Sequence, residues 1–494
     1  MTRSRAVAGE EGRSVYAALS LVFALALALS SVAKGADRPP ATSPAPGVPW
    51  PIPSGLAVAP SPRLTPSFAG RTATLAETVD WALDNAPATR AAWRRARAVA
   101  NVKGIREAAF WPNLDLDLNF SRSQTAASGG AVQTLLSSWG PAATLTWLLL
   151  DLGGRSADVG ESNSLLFAAN LAQDAAIQGT VLVVEVAFFN VGASRELALA
   201  AETSLAEASQ SLAVANGRHE AGLATIADVL QARTARSQAE LALESARGRL
   251  ETARGQLAAS LGLPANFPID TAPLPPDLGG MEDEGPAGAK VETLIETALA
   301  ARPDLLAARQ VAEAAQARVR SVRSSALPRV TGIASYGRPY YLDSPVASFS
   351  DTWSVGVNVH VPIFSGFART HDLARAKEEA EAFRADAESA ATRAALDAWT
   401  AFWDLRTARH RLASAHDLLQ AASASAEVAA GRYKEGVGSF LDLLTAQTAL
   451  ASARAQEVGA RADGLASIAR LAYATGALGP LPLPKEEASA GSPK

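Results

Sequence analysis

The stretch that decides the fold is Asn113-Leu114-Asp115-Leu116-Asp117-Leu118-Asn119-Phe120, in which polar and apolar side chains alternate without a break. Successive side chains of a strand point to opposite faces, so this strand presents Asp and Asn on one face and Leu on the other. The pattern fits a half-buried sheet of a soluble protein. It equally fits a membrane barrel strand with one face in lipid and the other in a wet lumen.

Three further stretches alternate in a similar way, at 144–147, at 353–361 and, less regularly, at 329–336, where Ile333 falls on the polar face. Loops predicted at 121–140 and 342–351, together with a secretion signal, favour the barrel. Four strands cannot close a barrel, because an open edge in lipid leaves backbone groups unpaired. The smallest membrane barrels have about eight strands, so closure requires an oligomer, and the strands do not choose between two chains and three.

The N-terminus has the pattern of a secretory signal. Arginines at positions 3, 5 and 13 precede an apolar run over 17–29, and small residues follow at 30–33. This pattern predicts a signal peptide at 1–33 and a mature chain that begins near Lys34 or Asp37. The prolines that follow predict an extended tether over 34–70.

The rest of the chain contains one unit twice. Pro87 and Pro303 are separated by the same number of positions as Pro112 and Pro328, and Gly222 and Gly436 keep that offset with a slip of two. A register held over roughly 200 residues indicates a duplication. The predicted order is repeat one at 71–265 (strands about 112–122 and 142–151, long helical hairpin about 154–261, tip 217–225), a Pro-rich linker at 266–289, repeat two at 290–480 (strands about 328–338 and 352–362, hairpin about 366–476, tip 431–439) and a tail at 481–494.

The hairpins are predicted to be long coiled coils. The stretch 154–216 contains no proline, and roughly 60 residues of helix extend about 90 Å. Leucines recur every seven residues at 243, 250 and 257 and again at 405, 412 and 419, with alanine between them. Seven-residue spacing keeps one seam towards a partner helix. The fold class is therefore mostly α with membrane β-strands.

Composition excludes several classes of protein. The 494 residues carry a net charge of −4 and no cysteine, which excludes a basic nucleic-acid surface, disulfides and thiolate zinc sites. His219-Glu220 begins like a zinc-protease helix, but position 223 is leucine where the second histidine belongs. We therefore expect no enzyme activity, no cofactor, no catalytic or metal residues and no nucleic-acid partner.

Two motifs mark the places where strand turns into helix: Trp147-Leu148-Leu149-Leu150-Asp151-Leu152-Gly153-Gly154-Arg155 and Val361-Pro362-Ile363-Phe364-Ser365-Gly366. Together with the hairpin tips, Arg218-His219-Glu220-Ala221-Gly222-Leu223 and Arg432-Tyr433-Lys434-Glu435-Gly436-Val437-Gly438, they resemble the outer-membrane efflux channel family typified by TolC. The resemblance implies a trimer with a shared twelve-stranded barrel in the outer membrane and a helical tunnel through the periplasm.

The resemblance also implies a function. The chain would be the outer-membrane exit channel of a tripartite efflux or type I secretion system, working with a periplasmic adaptor protein and an inner-membrane pump of RND, ABC or MFS type, and contacting outer-membrane lipid. The alternative is an elongated helical periplasmic adaptor or scaffold protein without a barrel. The cargo, whether drug, metal ion or protein, is not specified by the sequence.

Site residues follow from the same resemblance. A periplasmic constriction would contain Asp442, Thr445, Asp228 and Tyr433; adaptor-docking tips would contain Gly222, Leu223, Gly436, Val437 and Gly438; the barrel lumen would be lined by Asp115 and Asp117. The basic residue that relatives use to latch the closed tip is absent, since its position is Gly438, and Arg432 could replace it. Asp228 and Asp442 could instead only cap their helices, whose N-terminal turns favour carboxylates.

Overall fold

The computed structural model describes residues 66–127, 132–275, 290–342 and 349–478. The predicted signal peptide 1–33, the tether up to residue 65, the linker over 276–289 and the tail 481–494 lie outside the described residues. Repeat one consists of β1 (Thr72–Ala73), α1 (Leu75–Asn85), α2 (Pro87–Ala108), β2 (Asn113–Ala127), β3 (Val132–Leu150), α3 (Gly154–Glu220), α4 (Ile226–Ser260) and β4 (Asp270–Thr271). Repeat two consists of α5 (Val291–Ala301), α6 (Pro303–Ser324), β5 (Arg329–Gly337), β6 (Tyr340–Tyr341), β7 (Thr352–His360), α7 (Ala368–Lys434) and α8 (Phe440–Ala474).

The two repeats match element by element. The helices α3 and α7 have 67 residues each, and α4 and α8 have 35 each. The helices before the strands keep one constant offset between the repeats, and the long helices keep an offset shorter by two, so the slip lies in the strand region. Pro87 and Pro303 occupy the first turn of α2 and α6, where the missing N–H has no helical partner to lose.

The long helices pack as two antiparallel hairpins, α3 with α4 and α7 with α8. Heptad leucines form the seams: Leu257 and Leu405 are fully buried and Leu243 nearly so. The hairpins are joined to each other through α3 and α8, partly by ion pairs from Arg454 to Glu207 and from Arg461 to Glu196.

Within the described residues, α3 is the one helix long and apolar enough to cross a membrane by length and composition. Its apolar stretch serves instead as the centre of a core cluster. There Val181, Val184 and Phe188 pack with Leu257 and Leu261 of the antiparallel partner.

The strands other than β1 and β4 form one antiparallel sheet in the order β2-β3-β5-β7, with the short β6 beside β3. Residues directly opposite each other share a face. One row across the sheet is polar and consists of Asp115, Thr144, Ser335 and Ser354. The next row is on the opposite face, is apolar and consists of Leu114, Leu145, Ala334 and Val355.

The apolar face of the sheet has no cover from any residue that the structure describes. Leu116 is 77% exposed and Val355 is 75% exposed. Both outer strands, β2 and β7, also keep one unpaired edge within the described sheet. A soluble sheet buries such a face, so the chain has a lipid-facing sheet that needs neighbours at both edges. The predicted class, a duplicated and mostly helical chain with membrane strands, is confirmed.

Several predicted boundaries were wrong. The loop predicted at 121–140 is mostly strand, since β2 runs to Ala127 and β3 begins at Val132. Backbone pairing between strands does not require apolar side chains, so the end of the polar and apolar alternation after Phe120 does not end the strand. The last described part of the tether is also folded, because Phe68 is buried against Trp81.

The first part of the predicted linker is folded as well. Ile269 and Leu274 are buried in the core cluster around α3. Asp270 and Thr271 form β4, which pairs in parallel with β1. Proline content predicted a linker between the repeats, but a few large apolar side chains between prolines are sufficient to anchor an extended chain on a helix surface.

Candidate functional site at the hairpin tips

Both hairpins reverse through the same glycine turn. Gly222 has a φ of 73° and Gly436 a φ of 79°, a conformation that only glycine adopts without strain. Leu223 N–H donates to the Arg218 carbonyl at 2.8 Å, and Val437 N–H donates to the Arg432 carbonyl at 3.0 Å. These bonds are those of a helix C-terminus closed by a left-handed glycine. The need for glycine at both tips is therefore structural.

Gly438 is required for a different reason. It is not among the glycines with a positive φ, but a Cβ there would lie 3.0 Å from the Arg432 Cβ and 3.2 Å from the Tyr433 nitrogen. The second tip thus brings its backbone close to the end of α7. The constraint at Gly438 is therefore one of space and not of φ.

Asp228 and Asp442 both cap helices. The Asp228 carboxylate accepts from Thr225 N–H at 2.9 Å, and Asp228 N–H donates to the Thr225 hydroxyl at 3.2 Å. Asp442 makes the same reciprocal pair with Ser439 at 3.3 and 3.1 Å. Each is the third residue of a capping box, which satisfies backbone N–H groups that a helix start leaves unpaired. The capping alternative therefore applies to both residues and does not by itself exclude a further role.

Three of the four predicted constriction residues line two different grooves. Asp442 and Thr445 line a groove on one side of the second hairpin, together with Arg432 and Gly438. The Thr445 hydroxyl is occupied, because it donates to the Leu441 carbonyl at 2.8 Å. Tyr433 lines a different groove, between the two hairpins. Sequence reasoning placed all four at one constriction without this division.

Tyr433 joins the two hairpins through packing. It is 5% exposed and lies in a cluster with Val229 and Ala232 of α4 and with Phe440, whose ring centroid is 5.5 Å away. Its hydroxyl is buried and has no hydrogen-bond partner within the described part of the chain. Burial raises the pKa of this hydroxyl, and the nearby Arg218 charge opposes that effect. The Tyr433 hydroxyl makes no hydrogen bond to Asp228.

Arg218 makes the contact between hairpins that sequence reasoning missed. Its guanidinium donates to the Tyr433 carbonyl at 2.8 Å and lies 5.0 Å from the centre of the Tyr433 ring. The last four carbonyls of a helix have no helical partner, so an arginine of the first hairpin caps the C-terminus of α7. Arg432 is its equivalent in repeat two, yet its side chain makes no hydrogen bond or ion pair with residues that the structure describes. The sequence shows the two arginines as equals, and only the packing distinguishes them.

The predicted lumen residues lie on the sheet. Asp115 and Asp117 are both exposed on β2, on the face of the polar row, and Asn113 donates to Asp115 at 3.3 Å. They share a face as their spacing predicted. Their position towards a lumen stays a prediction, because one protomer does not define a lumen.

Comparison with known proteins gives consistent findings. The model of the family described as outer membrane efflux protein matches residues 78–263 and 294–477, one match for each repeat. Protein CyaE of Bordetella pertussis is 31% identical over 451 residues, covering 90% of this chain and 91% of that protein. Outer membrane efflux protein BepC of Brucella suis is 26% identical over 411 residues, covering 82% of this chain and 86% of that protein.

A solved structure has the same fold. The CmeC outer membrane channel of Campylobacter jejuni superposes with a TM-score of 0.73 at 20% identity, covering 82% of this chain and 85% of that chain. At this identity the likeness concerns the fold alone.

Proposed function

The chain belongs to the outer membrane efflux protein family, and we propose that three copies form one channel whose barrel spans the outer membrane and whose helical tunnel extends into the periplasm. The protein is an outer-membrane exit channel of a tripartite efflux or type I secretion system. Channels of this family are homotrimers that work with periplasmic adaptors and inner-membrane pumps.

One observation carries the proposal. The sheet has a polar row beside an apolar row, an exposed apolar face and two unpaired edges within the described strands. In lipid these edges must pair with another chain. Three copies joined edge to edge give twelve strands, the apolar face then contacts outer-membrane lipid, and Asp115 and Asp117 line the lumen. The alternative, a helical adaptor or scaffold protein without a barrel, does not account for this sheet.

The tips are proposed to dock the adaptor. Leu223 is 69% exposed and Val437 is 68% exposed, although each follows a glycine whose conformation fixes its direction. Two apolar side chains held rigidly in water at the far end of a long hairpin suit a partner surface. The residues involved are Gly222, Leu223, Gly436, Val437 and Gly438, and the pump beyond the adaptor would be of RND, ABC or MFS type.

The constriction is proposed to form from Asp442. In a trimer three Asp442 carboxylates would surround the tunnel axis and favour cations. Thr445 adds no charge one turn further on. Tyr433 and Asp228 would lie behind this ring, in the packing between the hairpins. Arg218 would supply the positive charge that relatives carry at the position of Gly438. Transport would be the whole activity, without catalysis by the chain.

The test is reconstitution. The mature protein, beginning near Lys34 or Asp37, should fractionate with the outer membrane, migrate as a trimer unless heated and open cation-selective pores in planar bilayers. A soluble monomer recovered from the periplasm would contradict the proposal. A trimer that never conducts would support assembly but contradict the channel.

A further inference from the structure

The two repeats differ in how one face of the long helix is covered. In repeat one the face around Phe189 is buried, and Phe189 itself is 8% exposed. The segment that follows α4 covers this face, with Ile269 and Leu274 in the same core cluster. A Cβ on Gly192 would lie 2.7 Å from the Leu274 side chain, so this segment lies directly on α3.

The equivalent face of repeat two is bare among the described residues. Trp403, the counterpart of Phe189, is 40% exposed, and Trp399 on the same face is 45% exposed. The local geometry is otherwise conserved between the repeats: Phe188 and Phe189 meet edge to face at 85°, and Phe402 and Trp403 do so at 83°. The arrangement of the two rings is therefore kept, while the helix differs at two neighbouring positions, where Trp399 corresponds to Glu185 and Arg406 to Gly192.

A half-buried arginine shows the same difference. In repeat one Arg195 donates to the Thr271 carbonyl at 2.8 Å and pairs with Asp270 at 3.4 Å. Its equivalent is Arg409, whose Nη2 is buried and has no hydrogen-bond partner in the described chain. A buried donor without a partner loses its hydration and gains nothing in return. A partner equivalent to Thr271 and Asp270 is missing from the described part of repeat two.

The chain leaves the two hairpins through two turns of the same geometry. Gly262 and Gly476 each have a φ of 73°. The N–H of the residue after each glycine returns to a carbonyl of the preceding helix, at 2.9 Å from Leu263 to Ala258 and at 2.8 Å from Ala477 to Ala472. The two exit turns are thus equivalent as far as Leu263 and Ala477.

We propose that residues 479–488 of the same chain cover the Trp399–Trp403 face of α7 and supply the missing partner of Arg409. The segment reads Gly-Pro-Leu-Pro-Leu-Pro-Lys-Glu-Glu-Ala. Leu481 and Leu483 match Phe267 and Ile269 at the offset that relates the two hairpins. Glu486 and Glu487 bring negative charge to a face where Arg406 lies 5.1 Å from the Trp403 ring and, like Arg409, has no ion pair with the described residues.

The first test uses introduced cysteines, because the chain has none of its own. The pair Arg406→Cys with Ala488→Cys corresponds to Gly192→Cys with Leu274→Cys in repeat one, which serves as the positive control. Both pairs should form a disulfide within one chain of the assembled trimer. Val428→Cys with Ala488→Cys, about 33 Å further along the helix, is the negative control. Absence of the first disulfide when the positive control forms, or a disulfide linking two protomers, would overturn the proposal.

The second test measures cover directly by hydroxyl-radical footprinting of the trimer. Deleting 479–494 should raise oxidation of Trp403 about fivefold, the ratio of 40% to the 8% exposure of Phe189. Trp93, 41% exposed on α2, should not change and serves as the internal standard. Protection that persists after the deletion would assign the cover to the linker or to a neighbouring copy. Rapid oxidation in the full chain would mean that the face is bare. Either result refutes the proposal.

Discussion

Replacing Arg218 should loosen the connection between the two hairpins of one protomer. The change Arg218→Gln removes a charged donor 2.8 Å from the Tyr433 carbonyl and a cation 5.0 Å from the Tyr433 ring. A hydrogen bond from a charged group contributes about 1.5 kcal/mol at the low end, and a partly exposed cation–π contact contributes about 0.5 kcal/mol. If the hairpins separate when the tip opens, the loss of about 2 kcal/mol shifts the closed-to-open equilibrium about 30-fold towards open.

The assay is open probability in single-channel recordings of the trimer in planar bilayers. Arg432→Gln is the matched control, since this arginine occupies the equivalent position of repeat two but makes no side-chain hydrogen bond or ion pair in the described chain. It should behave as wild type. Arg218→Lys keeps the charge but loses the planar fork and should give an intermediate value. Equal open probability for wild type and Arg218→Gln would refute the reasoning, as would equal effects of the two Gln variants.

Three further predictions concern charge, backbone and burial. Asp442→Ala should reduce cation selectivity and block by trivalent cations in bilayer recordings. The control Asp228→Ala loses the same kind of capping box and should leave the selectivity and the block unchanged. If neither variant changes these two properties, Asp442 does not line the constriction. Gly222→Val and Gly436→Val force a branched residue to positive φ, which costs about 1–2 kcal/mol or more each. Export assays should show loss of transport while gels still show the trimer. Normal export by these variants would contradict docking at the tips. Burial raises the pKa of Glu185, which has no ion pair or hydrogen bond among the described side chains. As the pH rises from 4.5, the ordinary pKa of this group, to above its raised pKa, the wild type should lose thermal stability relative to Glu185→Gln. A stability difference that does not depend on pH would be evidence against a buried, unpaired carboxylate.

Periodicity and spacing were sufficient to predict the duplicated helical architecture. The constant offset between the two tips, together with the leucines at 243, 257 and 405, predicted two long helical hairpins. The helices of the two hairpins have equal lengths in the structure. Alternation of polar and apolar residues predicted the strands of the sheet and placed Ile333 on the polar face. In the structure Ile333 lies on that face, opposite Thr146. These features depend on which face of an element a residue occupies, and period alone determines that.

Features that depend on contacts between distant segments could not be predicted in the same way. The capping role of Asp228 was visible locally, because Thr225 lies one helical turn before it. The contact from Arg218 to Tyr433 joins two different hairpins, and nothing in either tip distinguishes Arg218 from Arg432. Phe68 and Leu274 fell in segments predicted as an extended tether and a Pro-rich linker, since proline content describes local stiffness and not the surface on which a chain lies.

The equality of the hairpins has a symmetry consequence. The length of chain from the start of the long helix to the tip glycine is the same in both repeats, from Gly154 to Gly222 and from Ala368 to Gly436. In the proposed trimer, three chains would end in six tips carried on helices of equal length. The chemistry is only threefold, because tips with an engaged arginine at 218 alternate with tips whose arginine at 432 makes no side-chain bond to the described residues. A partner ring built from six identical units would meet two different kinds of contact in alternation, and its subunits would become unequal on binding.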